Sequence, residues 1–179
     1  MADSNPGERA ERFRQVFETC FQPLLVYARR RSDPTAADDI VAETFLVAWR
    51  RLEDVPKDHP LPWLYSVAHK SLGNYWRGRG RQERLTSLLG SLRAVPEYTD
   101  ASRDPDPVLV ALGELSQTDQ EVLRLATWEE LTNSEIAVVL GCSENAAALR
   151  LSRARRRLRR ELTSKAGSRT QEGWRRSDA

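Results

Sequence analysis

The sequence predicts an all-α protein made of two small helical domains joined by a flexible linker. Apolar residues recur at spacings of three and four along most of the chain, which is the period of amphipathic helices. No segment shows a convincing strand pattern. A stretch rich in glycine, proline and aspartate separates two helical halves within 179 residues, a length that suits one medium domain or two small ones.

The first domain is predicted over residues 1–84 and begins with a polar, frayed segment. Its first helix is expected from Arg12, with a kink or break at Pro23, because proline removes a backbone donor from the helix interior. An N-cap signal at Asp33, followed directly by proline, predicts the start of the next helix. That helix is expected to run to about Leu52.

A proline-rich loop leads into the third helix of this domain. Three closely spaced prolines exclude a helix over residues 55–61. The third helix is expected from about Trp63 to Arg77, where two glycines end it. Trp63 and Trp49 occupy apolar helical positions, which favours core packing for both side chains.

The linker is predicted over residues 85–106 and the second domain over residues 107–162. Asp106 precedes a proline and is the expected N-cap of the first helix in this domain. Two capping-box patterns, Ser116 with Asp119 and Thr132 with Glu135, mark the starts of two further helices. The polar composition of the tail, residues 163–179, indicates disorder.

Residues 131–160 carry the most specific local pattern of the chain, a helix-turn-helix. A short apolar helix, a tight turn at Gly141 and a last helix from Glu144 to about Leu162 make up the motif. Six arginines fall within the eight residues 153–160, and arginine matches the geometry and charge of phosphate. The alternative is a helical hairpin with a solvated arginine face, but spacing and charge together favour DNA.

Base recognition by such a motif comes from exposed residues near the start of the second helix, whereas the following arginines contact phosphate. The candidate DNA-binding residues are Ser143, Asn145, Ala146, Ala148, Leu149, Arg150, Ser152, Arg153, Arg156 and Arg157. Residues 141–179 carry 11 basic and 4 acidic side chains, a net charge of +7 in a chain whose total is only +2. This concentrated positive charge predicts a polyanionic partner.

Composition argues against several other classes of protein. No apolar run reaches the ~18 residues of a membrane span, and the polar N-terminus lacks the core of a signal peptide, so we expect a cytoplasmic protein without membrane insertion. Cys20 and Cys142 are too few for a disulfide framework or a four-cysteine zinc site, and we expect both to be structural thiols. No metal, cofactor or catalytic residue is predicted, which disfavours an enzyme acting on nucleic acid.

Three segments resemble one bacterial family. Residues 38–50, DDIVAETFLVAWR, resemble region 2 of the extracytoplasmic-function (ECF) sigma factors, with Ala42 where glutamine is usual. Residues 62–70, PWLYSVAHK, resemble the next helix of that region. Residues 115–158, which end in RLSRARRRL, resemble region 4 of the same family. The three segments occur in the family's order.

The resemblance implies a factor that binds the clamp of the largest subunit of core RNA polymerase and directs it to promoter DNA. The first domain would melt the −10 element, the second would recognise the −35 element, and an anti-sigma factor would commonly hold the protein inactive. Implied polymerase-binding residues are Asp38, Asp39, Glu43, Phe45 and Arg50. Implied −10 DNA-binding residues are Pro56, Lys57, His59, Lys70, Asn74, Trp76 and Arg77. The ten helix-turn-helix residues named above would bind the −35 element.

Two other functions are compatible with the residues. A stand-alone regulator could use the helix-turn-helix as a dimer on two half-sites, although the sequence offers no obvious dimerisation helix. A pure adaptor could bind only an anti-sigma partner. The resemblance favours the sigma factor over both.

Overall fold

The computed structural model describes the backbone of residues 6–88 and 106–177 and the side chains of residues 6–81 and 106–164. Every regular element within these residues is helical, which confirms the all-α prediction. The α-helices are α1 (Pro6–Arg29), α2 (Pro34–Arg50), α3 (Pro60–Leu88), α4 (Pro107–Gly113), α5 (Gln117–Thr127), α6 (Asn133–Leu140) and α7 (Glu144–Ser177), with a 3₁₀ turn at Leu52–Asp54. Two compact units form: the first contains α1–α3 and the segment Val138–Gly141, and the second contains the other described residues.

Helices α1, α2 and α3 pack against one another around the core of the first unit. Leu24, Leu52 and the ring of Tyr27 are fully buried in it. Tyr27 stacks on Tyr65 with 4.6 Å between ring centroids. The buried guanidinium of Arg31 lies 3.8 Å from the Tyr27 ring and donates to the Tyr27 carbonyl. Apolar burial therefore holds these three helices together, the Tyr27–Tyr65 stack joins α1 to α3, and Arg31 covers the end of α1.

Helix α1 is longer than the sequence predicts and is not broken. It begins at Pro6 rather than Arg12 and continues through Pro23 to Arg29. Leu24 and Tyr27, directly after the proline, are fully buried. Burial of this turn offsets the backbone hydrogen bond that proline removes.

Helix α3 corrects two further predictions. It begins at Pro60, so Pro60 and Pro62 occupy its first turn, where the missing N–H groups would have no helical partner in any case. It also passes through Gly78 and Gly80 and reaches Leu88 instead of ending at Arg77. Helix α3 thus runs past the boundary predicted at residue 84. Most of the predicted linker lies outside the described residues.

The helix starts predicted for the second unit are confirmed. Asp106 accepts from the backbone N–H of Val108 at 2.8 Å, and Ser116 accepts from that of Asp119 at 3.2 Å. Helices α4 and α5 pack on α7. The last helix continues to Ser177, so the backbone of most of the tail is helical rather than disordered.

Candidate functional site

The outer face of α2 carries the candidate polymerase contacts. Asp33 caps the helix by accepting from the Ala36 N–H at 3.0 Å. That hydrogen bond and one from the Tyr75 hydroxyl lower the pKa of Asp33, so its carboxylate is charged at neutral pH. Asp38, Asp39, Glu43 and Arg50 are all exposed, and Asp38 lies 3.5 Å from Arg29. Acidic groups in the first half of this helix face solvent, where a partner can contact them.

Phe45 does not belong to that exposed face. It is only 5% exposed, and its ring contacts those of Phe13, Phe17 and Phe21 on α1, with centroid distances of 4.8–6.3 Å. Helical geometry explains the difference, because Phe45 lies on the side of α2 that faces α1. Leu46, the next residue, is 58% exposed and adds an apolar side chain near Glu43 that the sequence pattern did not single out.

Trp49 also departs from the prediction of a core position. It is 40% exposed, although its ring lies 5.1 Å from that of Phe13. Arg9 donates to the Trp49 carbonyl and places its guanidinium 5.2 Å from the indole ring. Trp49 and the 40%-exposed Phe17 therefore leave aromatic surface next to the charged face of α2.

The loop between α2 and α3 is anchored at one end and open along the rest. Val55 is buried, and its carbonyl accepts from Arg12 of α1 at 2.6 Å. Pro56, Lys57 and His59 are exposed, as the candidate assignment requires. The loop and α1 enclose a pocket lined by Arg12, Gln15, Val16, Thr19, Cys20, Lys57, Asp58, His59, Pro60 and Leu61. The sequence-based candidate site did not include the side chains from α1, because some 40 residues separate them from the loop.

Cys20 at the base of this pocket is structural, as expected. It is 2% exposed, and burial raises the pKa of its thiol. Cys142 is half-buried in the second unit, and both are free thiols.

Helix α3 brings the remaining −10 candidates to the surface. Lys70, Asn74, Trp76 and Arg77 are all exposed, and Arg77 donates to the side-chain oxygen of Asn74 at 2.5 Å. That contact holds the guanidinium and the amide on one face of the helix, as the spacing predicts. Trp76 is 42% exposed, so part of its ring faces solvent.

The helix-turn-helix forms as predicted. Thr132 and Glu135 make the reciprocal capping box, with N–H to side-chain distances of 2.8 and 3.3 Å. Gly141 has φ +61°, a conformation that residues with a Cβ rarely adopt. Ser143 then caps α7 by accepting from the Ala146 N–H at 3.2 Å. The turn chemistry fixes where the DNA-binding helix begins.

The outer face of α7 presents most of the candidate −35 residues. Exposed members are Ser143, Asn145, Leu149, Arg150, Ser152, Arg153 and Arg156, while Ala146 and Ala148 are half-buried. Leu149 is 57% exposed at the helix start. A shallow groove beside this face is lined by Asn133, Ala148, Leu151, Ser152, Arg155, Arg156 and Arg159. Asn133 from α6 was missed because the sequence does not show which part of α6 borders α7.

Arg157 is the one arginine of the candidate set with an internal acidic partner in the described structure. It forms an ion pair with Asp119 of α5, whose side chain is only 9% exposed. Asp119 also accepts from the Ser116 hydroxyl at 2.9 Å. The pair ties α5 to α7, while the Arg157 side chain remains 54% exposed, so its assignment as a DNA contact stays a prediction. The ion pair could not be predicted from the sequence, since 38 residues separate the partners.

Among the described residues, no group of three or more His, Cys, Asp or Glu side chains could hold a metal ion. None of the described helices is long and apolar enough to cross a membrane.

Comparisons with known proteins match both units. The family model for Sigma-70 region 2 matches residues 17–82, and that for Sigma-70, region 4 matches residues 106–158. The RNA polymerase sigma factor CnrH of Cupriavidus metallidurans is 29% identical over 137 residues, 69% of this chain and 72% of that protein. The ECF RNA polymerase sigma factor SigL of Mycobacterium tuberculosis is 29% identical over 160 residues, 83% of this chain and 88% of that protein.

Solved structures of sigma factors are similar as well. The sigma factor RpoE from Bartonella quintana, in complex with the anti-sigma factor NepR, has a TM-score of 0.63 and 24% identity, covering 84% of this chain and 96% of that one. CnrH in complex with the cytosolic domain of CnrY has a TM-score of 0.58 and 25% identity, covering 87% of this chain and 95% of that one. With both sigma-70 regions matched in the family's order, this chain belongs to the sigma-70 family, as an ECF (group 4) sigma factor.

Proposed function

We propose that this chain binds core RNA polymerase, directs it to promoters, melts the −10 element with its first unit and recognises the −35 element with its second. Membership of the sigma-70 family carries the proposal, and the exposed charges on α2, α3 and α7 support it. The protein acts as an initiation factor in the cytoplasm, and the catalytic site for RNA synthesis belongs to the polymerase.

The exposed face of α2 is the proposed contact with the clamp of the largest polymerase subunit. Asp38, Asp39 and Glu43 offer carboxylates to basic groups, and Leu46 adds an apolar side chain that is 58% exposed. Arg50 supplies the opposite charge one turn further on. This pattern of acidic, apolar and basic groups fixes both the orientation and the register of a partner helix.

The proposed −10 contact combines α3 with the pocket beside the loop. Lys70 and Arg77 attract the phosphate backbone, and the exposed ring of Trp76 can stack on an unpaired base. Lys57 and His59 line a pocket in which an extruded base could bind, and Pro56 is exposed next to Lys57 in the same loop. Asp58 in that pocket repels phosphate, which favours a base over the backbone as its occupant.

The proposed −35 contact is the exposed face of α7. Asn145 and Ser152 can hydrogen-bond to base edges, and Leu149 can contact a thymine methyl. Arg150, Arg153 and Arg156 provide phosphate contacts, whose strength depends on salt concentration. Ser143 contributes as the cap at the helix start, where backbone N–H groups favour a phosphate.

An anti-sigma factor is the proposed regulatory partner. Among similar solved structures, RpoE is bound to the anti-sigma factor NepR, and CnrH is bound to the cytosolic domain of CnrY. A regulator that covers the exposed faces of α2 or α7 would prevent polymerase or promoter binding.

Reconstituted transcription tests the proposal. Purified protein, bacterial core polymerase and a pool of genomic promoter fragments are combined, and transcript start sites are sequenced. Initiation from a shared −10/−35 pattern is the expected result. Absence of initiation with folded protein and active core enzyme would instead favour the stand-alone regulator or the adaptor.

Charge reversal on α2 tests the polymerase surface directly. Glu43→Arg should weaken core-polymerase binding roughly tenfold, about 1.4 kcal/mol, because it sets like charges against each other. Glu18→Arg makes the same change of charge on the exposed face of α1 and serves as the matched control. Affinity is measured by fluorescence anisotropy of labelled protein against core enzyme. Equal effects of the two substitutions would contradict the assignment of this face.

A further inference from the structure

Helix α3 contains an aromatic pair that is anchored to the start of α2. The Tyr75 hydroxyl donates to one carboxylate oxygen of Asp33 at 2.5 Å and accepts from Arg79 at 3.2 Å. The other carboxylate oxygen of Asp33 accepts from the backbone N–H of Ala36 at 3.0 Å. Asp33 therefore serves two purposes, as the helix cap of α2 and as the acceptor that fixes the Tyr75 ring.

Trp76 lies against this fixed ring. Its indole is 5.2 Å from the Tyr75 ring at an angle of 68°, an edge-to-face arrangement. The guanidinium of Arg79 lies 5.9 Å from the indole centroid. Trp76 is nevertheless 42% exposed, so two neighbours hold the ring while part of it faces solvent. A ring whose only purpose was core packing would not remain this exposed.

We propose that Asp33, Tyr75 and Arg79 are positioning residues that hold the Trp76 indole ready to stack on an unpaired base of the −10 element. This inference rests on the proposed function and names the residues that prepare one of its contacts. A stacking side chain that is already ordered loses less conformational freedom when the base arrives. Stacking on aromatic side chains is a principal contact by which proteins bind unpaired bases, so the geometry of the ring should affect strand opening measurably.

The test uses holoenzyme reconstituted with full-length protein and the Tyr75→Phe variant, which removes the hydroxyl and keeps the ring. Strand opening is followed by permanganate reactivity of −10 thymines on a promoter that the wild-type holoenzyme opens. We expect Tyr75→Phe to lower the opened fraction or the opening rate roughly three- to tenfold. Binding of the same holoenzyme to a −35 duplex should not change.

Two further variants separate positioning from general destabilisation. Asp33→Ser keeps a good helix cap but removes the carboxylate acceptor, so it should reproduce the Tyr75→Phe defect. Tyr65→Phe removes a hydroxyl from a buried ring of the same helix, away from Trp76, and should leave strand opening unchanged. Thermal unfolding of each variant shows that the compared proteins are folded.

A double-mutant cycle tests whether the Tyr75 hydroxyl acts on strand opening through the Trp76 ring. Trp76→Ala removes the stacking ring, so adding Tyr75→Phe to it should cause no further loss of opening. An equal loss from Tyr75→Phe with and without the indole would overturn the inference, as would wild-type opening by the single Tyr75→Phe variant. Failure of the wild-type holoenzyme to open any promoter would instead overturn the proposed function, a distinct result.

Discussion

At the scale of single residues, neighbouring arginines of α7 have different surroundings despite their identical chemistry. Arg153 is exposed on the outer face, whereas Arg157 is paired with the nearly buried Asp119. Sequence reasoning identified both as DNA contacts because charge and spacing do not show which arginine faces α5. Only the packing of α5 on α7 distinguishes them.

Alanine substitutions should therefore show which arginine contributes to the salt dependence of DNA binding and which contributes to folding stability. Arg153→Ala should lower the slope of log K against log salt for −35 duplex binding by about one, because it removes one phosphate contact. Arg157→Ala should leave that slope unchanged and destabilise the second unit by about 1 kcal/mol, since Asp119 loses a partner that is itself half exposed to screening solvent. Binding titrations at several salt concentrations and urea unfolding measure the two quantities. If Arg157→Ala instead lowered the slope of log K against log salt and left stability unchanged, Arg157 would be a DNA contact.

At the scale of helices, starts marked by a capping residue were predictable, whereas the starts of α1 and α3 and the ends of α3 and α7 were not. The caps at Asp33, Asp106, Ser116 and Thr132 all form, because each is a local hydrogen bond between residues at most three positions apart. The end of α3 was predicted wrongly because glycine weakens a helix without forbidding it. Tertiary contacts, such as burial of Phe45 and the pairing of Arg157, depend on residues far apart in sequence. Sequence reasoning therefore proposed the candidate surfaces but could not show that Phe45 is buried or that Arg157 has an internal partner.

Glycine-to-alanine substitutions should have opposite effects in two elements. Gly78 is helical in α3 with open space where a Cβ would lie, so Gly78→Ala should stabilise the first unit by roughly 0.5–1 kcal/mol. Gly141 has φ +61°, so Gly141→Ala should destabilise the helix-turn-helix by about 1 kcal/mol despite equally open space. Chemical denaturation followed by circular dichroism measures both changes. A destabilising Gly78→Ala would contradict the continuation of α3 through the glycines.

At the scale of the whole molecule, the charge is divided unequally along the chain. The C-terminal 39 residues hold a net charge of +7, although the entire chain has only +2. The acidic groups on α2 belong to the first unit, and the arginines of α7 belong to the second. This division suits a protein that contacts another protein through one unit and duplex DNA through the other, with salt dependence concentrated in the second contact.

The two units should also be separable as folded fragments. Fully buried Leu24, Leu52 and Leu64 form a core in the first, and fully buried Leu125 and Ile136 form one in the second. Fragments 1–88 and 106–179 should each unfold cooperatively, the second marginally because so small a domain rarely exceeds about 3–5 kcal/mol of stability.

The two fragments should differ in what they bind, in line with their different charges. Fragment 106–179 should bind −35 duplex with steep salt dependence, because the arginines of α7 make its phosphate contacts. Fragment 1–88 should compete with the full chain for core polymerase without binding that duplex. Gel shifts and competition titrations at matched salt concentrations measure these activities, with Glu43→Arg in fragment 1–88 as the control for a specific polymerase contact. Duplex binding by fragment 1–88, or competition that Glu43→Arg does not weaken, would show that the two contacts are not divided between the units.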